Sequence, residues 1–154
     1  MRPDWHQYFF GIVFMTAKRA SCNFVHAGAV LVKNKTVIAT GYNGSPAGTD
    51  HCLLKGCLKE QLIEAGEKPV CRGICAEHNA ILSAAKHGIN TNDATLYASY
   101  APDYETVKML INAGITEIIY MEDALGIMAK QLLKEANVKS GHYSLRENDL
   151  YPSM

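Results

Sequence analysis

Several things are missing from this chain of 154 residues, and each absence removes a class of function. No uninterrupted apolar run reaches the roughly eighteen residues that a membrane-crossing helix needs. The opening MRPDWHQYFF has no basic segment followed by an apolar stretch and a small-residue cleavage site, so the expectation is a cytoplasmic protein with no membrane partner. Charge of one sign is missing too: 15 Lys and Arg balance 15 Asp and Glu, and neither gathers into a block. A polymeric nucleic acid or an anionic lipid surface would call for a basic patch, so a small molecule is the expected partner. There is no internal repeat and no low-complexity tract.

What is present fits one compact domain spanning 1–154. With 48% hydrophobic residues the chain can bury a core, and it is too short for two comfortable domains. Trp5, Tyr8, Phe9, Ile12, Val13, Thr16 and Ala17 recur at three- and four-residue spacing, which predicts an amphipathic first helix. GAVLV (28–32) and TVIAT (36–40) flank the turn-prone KNK and read as a β-hairpin. From 41 to 74 runs a long loop with one expected helical stretch, around Leu58 to Ala65. A loop of that length inside a small domain needs something to hold it. A helix is expected from Cys75 or Ala76 to His87, closed by Gly88, then a strand at 94–99 and a helix from Asp103 to Ala113 stopped by Gly114. A strand at 116–121 and a helix from Ala124 to Ala136 follow. Strands alternating with helices over this second half imply a mostly parallel sheet covered on both faces, an α/β fold. The tail at 140–154 is weakly patterned and stays unassigned.

GYNGSPAG (41–48), HC (51–52), GC (56–57), CRGICAEHNAILSAA (71–85) and MLINAGITEIIY (109–120) together resemble the deoxycytidylate deaminase family, from about Trp5 to Ala136. The resemblance implies a cytidine deaminase-like fold, a three-layer α-β-α sandwich on a mixed sheet of about five strands. It also implies a homo-oligomer, from dimer to hexamer, and hydrolytic conversion of dCMP to dUMP on a catalytic zinc. The catalytic unit of zinc deaminases is H-x-E followed by P-C-x-x-C, in which three ligands leave one coordination position open and the Glu moves protons. Here the proton-shuttling position is kept as Glu77, while the ligand positions fall on Cys75, Asp103 and Thr106. A thiolate can replace the imidazole and a carboxylate can coordinate, but a neutral hydroxyl is a poor donor to zinc. Pro102, Asp103 and Glu105 also suit an ordinary helix start, with Asp103 as cap rather than ligand; Glu105 rescues coordination only if it turns inward.

Three roles are open for Cys75: inert packing, metal binding, or a thiolate nucleophile activated by its helix N-terminus with Glu77 and His78 beside it. The other cysteines, Cys22, Cys52, Cys57 and Cys71, resemble the positions that hold a structural zinc in microbial family members, with His51 as a substitute ligand. That zinc would pin the 41–74 loop. For substrate binding the resemblance points to Asn43, which equally suits an Asn-Gly turn. Tyr97 and Tyr100 are candidates to stack on a base, or are plain strand packing. The segment NFVHAGA (23–29) lacks the arginine usual in the family, which leaves a 5′-phosphate without a bidentate partner unless Arg72 or Lys108 supplies one. Three readings follow: a deaminase with an unusual metal site, an enzyme remodelled around Cys75 acting on a nucleotide or base, and a noncatalytic nucleotide-binding regulatory subunit.

Overall fold

A computed structural model describes residues 2–144. Helix α1 (Trp5–Ala17) begins at Asp4, whose carboxylate accepts from the Gln7 amide while the Gln7 side chain accepts from the Asp4 amide, a reciprocal capping box. Strands β1 (Gly28–Lys33) and β2 (Thr36–Tyr42) form the expected hairpin. Its two turn residues, Asn34 and Lys35, both have positive φ, the backbone sense that matches the twist of the flanking strands. The long loop carries two short helices, α2 (Cys52–Lys55) and α3 (Leu58–Glu64). After it come α4 (Ala76–Lys86), β3 (Thr95–Tyr100), α5 (Tyr104–Asn112), β4 (Glu117–Glu122), α6 (Ile127–Glu135) and β5 (Lys139–His142).

The sheet order is β2-β1-β3-β4-β5. β1 runs antiparallel to both neighbours, and β3, β4 and β5 are parallel. Two apolar layers follow from the period-2 alternation of the strands. Val30, Val32, Tyr97, Ile119 and Met121 meet Phe9, Phe10 and Val13 of α1 on one face. Ala29, Leu31, Leu96, Ala98, Ile118 and Tyr120 meet α4, α5 and α6 on the other. The result is the three-layer α-β-α sandwich on a mixed five-stranded sheet. Because both faces are covered, β1 and β3 read as nearly continuous apolar runs.

Differences from the sequence reading lie mostly at boundaries. The last helix starts at Ile127 rather than Ala124, because Asp123 takes a positive φ and Gly126 sits extended as the cap. The fifth strand, at 139–142, carries only exposed positions and so gives no hydrophobic signal; it takes up the start of the unassigned tail. Residues 145–154 of that tail lie outside the described residues. The 41–74 loop is tied at its base by backbone: Gly44 N–H donates to Ile74 O at 3.2 Å and Ile74 N–H to Gly44 O at 2.8 Å.

One close approach sets the position of α4. A Cβ on Gly41 would collide with the backbone of Ala76 and Ala80, so β2 lies directly against the first turns of α4. Asn79 reinforces the contact, its Nδ2 donating to Tyr42 O at 2.8 Å. Gly41→Ala is therefore expected to cost about 2 to 3 kcal/mol, as overpacking against backbone does. Chemical denaturation checks it; an unchanged midpoint would contradict the packing.

Candidate ligand cleft

The chemistry-bearing residues gather at the carboxyl ends of β3 and β4, where α/β folds tend to leave a crevice. The N-termini of α4 and α5 open onto a cleft of about 300 Å³. Val25, Ala27, Asn43, Tyr100, Ala101 and Pro102 form its uncharged walls, and Cys75, Glu77, Asp103, Thr106 and Asp123 bring the reactive groups. A larger groove of about 550 Å³ runs between α1 and β2, but among the described residues Arg19 is the one charged side chain lining it. The smaller cleft is the better candidate on chemistry.

Glu77 is 7% exposed, on the first turn of α4. Burial pushes its carboxyl up to about 6 and the Asp103 carboxylate adds to the shift, against a backbone hydrogen bond that lowers it. A carboxyl held there can both give and take a proton near neutral pH.

Cys75 is the N-cap of α4, with extended backbone (φ −64°, ψ 154°) and no side-chain capping bond. The sequence suggested that the helix dipole lowers its thiol pKa. The opposite holds: although the residue as a whole is exposed, partial desolvation of its sulfur, then the carboxylates of Glu77 and Asp103, push the thiol up. His78 is not among the residues lining the cleft. His78 Nδ1 is enclosed without a hydrogen-bond partner among the described residues.

Asp103 is the N-cap of α5, its Oδ1 accepting from Thr106 N–H at 2.8 Å. Thr106 is 2% exposed. Glu105 turns outward to Lys108, with Nζ and Oε2 2.6 Å apart on the exposed face of α5. It does not complete a metal shell, and Lys108 does not reach the cleft. Arg72 stands near the cysteines rather than in the cleft, where its charge opposes the rise in the Cys52 thiol pKa. Besides Glu77 the cleft therefore offers one thiol, the Asp103 carboxylate that caps α5, one hydroxyl, and the Asp123 carboxylate on the loop after β4, with no imidazole and no second sulfur. That donor set does not fit a catalytic zinc, and no step is routed through one.

Asn43 lines the cleft, with both ends of its amide engaged: Oδ1 accepts from Ala27 N–H and Nδ2 donates to Val25 O, each at 2.8 Å. It holds the 25–27 wall in place. Tyr100 faces the cleft; Tyr97 does not. Tyr97 packs under α1 against Phe9 and Phe10, its hydroxyl 3.0 Å from His6 Nδ1, and burial pushes it up to about 12. Residues three apart on a strand point to opposite faces, so stacking on a common base is excluded for the pair. Sequence reasoning missed Asp123, which enters on the loop after β4.

Next to the cleft, Cys22, Cys52, Cys71 and Cys75 border a chamber of about 100 Å³. Cys57 also acts on the Cys52 thiol, which burial and then Cys22, Cys57 and Cys71 push up. Two backbone groups aim at sulfur: Phe24 N–H at Cys22 Sγ, 3.5 Å, and Gly73 N–H at Cys71 Sγ, 3.3 Å. His51 Nδ1 is enclosed without a hydrogen-bond partner among the described residues. All five cysteines are free thiols, and no three His, Cys, Asp or Glu side chains stand at ligating geometry among the described residues.

The family model described as the cytidine and deoxycytidylate deaminase zinc-binding region matches residues 3–122, and this chain belongs to that family. It is 37% identical over 147 residues to ComE operon protein 2 of Bacillus subtilis, covering 95% of this chain and 75% of that one. It is 31% identical over 148 residues to deoxycytidylate deaminase of Saccharomyces cerevisiae, covering 96% of this chain and 47% of that one. The chain thus spans about half the length of the yeast enzyme. In fold it is similar to dCMP deaminase from the cyanophage S-TIM5, solved with dCMP and dUMP, with TM-score 0.74 and 22% identity over 93% of this chain and 99% of that one. No described helix is long and apolar enough to cross a membrane.

Proposed function

We propose that this chain binds a pyrimidine deoxynucleotide or a related base in the Glu77 cleft, and that it does so without the ordinary zinc-dependent hydrolytic deamination. The observation that carries the reading is the donor set at the two helix starts: where two sulfur ligands are wanted stand Asp103, whose Oδ1 caps α5 through the Thr106 amide, and the neutral hydroxyl of Thr106. In this cleft Tyr100 supplies an aromatic wall, Asn43 keeps the 25–27 wall in register, and Glu77 is the proton-handling group. The buried, raised carboxyl of Glu77 favours a second reading, an enzyme remodelled around acid-base chemistry, over one built on a Cys75 thiolate.

The four thiols Cys22, Cys52, Cys57 and Cys71 suit a structural zinc, with His51 as the substitute ligand. Their convergence, the two N–H groups aimed at sulfur and the orphaned His51 Nδ1 support it, and a bound ion would fasten the 41–74 loop to the end of α1. A homo-oligomer in the cytoplasm completes the proposal.

The test is ligand-dependent stabilisation with cytosine, deoxycytidine and dCMP, assayed together with turnover. A ligand present at 100 times its Kd should stabilise by about 2.7 kcal/mol. A rise in melting temperature with at least one of the three, lost in Glu77→Ala, is expected. A flat response to all three would remove the pyrimidine reading.

A further inference from the structure

Helix α1 is apolar on its outer side as well as its inner one. Phe9, Phe10 and Val13 fill the core, yet Tyr8 and Met15 on the other side are 48% and 55% exposed. A helix that is apolar all round is normally covered all round. With Gly11, Ile12 and Arg19, these two side chains line the groove whose far wall is Tyr42 of β2, the edge strand of the sheet. Gly11 sits in mid-helix, where glycine is a poor helix former. A Cβ built on it would meet nothing within 4 Å, so no neighbour among the described residues calls for a glycine. A second helix crossing closely at that point would call for one. The stripe also reads alike in both directions. About the midpoint between Gly11 and Ile12, Tyr8 is set opposite Met15, and the N-cap Asp4 opposite Arg19 in the turn that ends the helix. Neither Asp4 nor Arg19 is in an ion pair among the described residues.

We infer that this face takes a second copy of the chain, α1 against α1 in antiparallel sense about a two-fold axis passing between Gly11 and Ile12. This rests on the reading of the chain as a homo-oligomer and names the contact. The crossing brings Tyr8 to the partner's Met15 and Met15 to the partner's Tyr8, each contact made twice as a two-fold axis requires. It sets each helix N-terminus beside the other's C-terminus, the favourable sense for the two dipoles. Asp4 then faces the partner's Arg19. Arg2 and Lys35 share the hollow at Asp4, with Lys35 turned onto the Trp5 ring, so this exposed ion pair fixes register more than it adds affinity. The attraction is the burial of Tyr8, Ile12, Met15 and Tyr42. The 15 basic and 15 acidic residues cancel, so two copies do not repel one another.

Sedimentation equilibrium of the full chain at micromolar concentration tests it, with wild type expected to hold an even number of chains per particle. Gly11→Leu drives a side chain into the crossing while improving the helix, and Tyr8→Glu/Met15→Glu puts charge on the face at two exposed positions. Each variant should raise the dissociation constant at least about tenfold and halve the particle, with the circular dichroism of the folded chain retained. A monomeric wild type overturns the oligomer and the α1 contact together. An odd number of chains, or a particle whose mass is unchanged in either folded variant, overturns the α1 contact and leaves the oligomer standing.

Discussion

Glu77→Gln is expected to make the protein more stable at pH 7.5, by about 2 kcal/mol, while abolishing its response to ligand. The stability gain follows from a carboxyl raised from 4.5 to about 6 on folding. Between those values the folded chain holds the proton more tightly than the unfolded one, so stability falls as pH rises through the window and stays low above it. The shift of about 1.5 units is worth about 2 kcal/mol. Gln has no charge to desolvate and keeps an acceptor for the backbone hydrogen bond. The difference between variant and wild type should therefore be full at pH 7.5 and nearly gone at pH 4.5, read as melting temperatures. A variant equally or less stable than wild type at both pH values would contradict the burial cost assigned to Glu77. The loss of ligand response follows because Gln can neither take a proton nor offer two anionic acceptors. A residue retained at an energetic cost is what a functional cleft looks like.

Cys52→Ser is expected to be among the most damaging single changes, about 4 kcal/mol and on the order of 10 °C in melting temperature for a chain of this size. Cys52 is 7% exposed and has Cys22, Cys57 and Cys71 around it. A serine hydroxyl would be a poor zinc donor in their place. A chelator should lower the melting temperature of the wild type by a similar amount and have little further effect on the variant. Cys75→Ser separates the two groups of sulfurs. Cys75 is exposed and caps α4 without a side-chain bond, and serine is a better cap, so that change should stay within about 0.5 kcal/mol. Equal losses at Cys52 and Cys75, or no chelator effect on the wild type, would contradict a zinc held by the four loop cysteines.

The elements that the sequence declares locally are those with strong periodicity or turn chemistry. The α1 stripe, the Asn34-Lys35 hairpin and the glycines closing α4 and α5 are all of this kind. β5 was illegible because an exposed four-residue strand has no alternation to detect; the parallel partner, not its own side chains, holds it. In the cleft, Glu77, Cys75, Asp103 and Thr106 could be named from motif positions. What the sequence could not give was their electrostatics. A helix N-terminus argues for a lowered thiol pKa, whereas the fold desolvates the sulfur and sets the Glu77 carboxylate, and then that of Asp103, near it, which reverses the sign. Asp123 was hidden for the same reason, since nothing local distinguishes an aspartate in a turn. The separation of Tyr97 from Tyr100 was readable: their odd spacing on one strand is enough to divide them between faces.

The central claim is that the Glu77 cleft lacks the donors for a reactive zinc. Metal content per chain on purified protein, measured alongside ammonia release from dCMP, tests it most directly. About one zinc, held by the loop cysteines, and no ammonia are expected. About two zincs with steady formation of dUMP would contradict it.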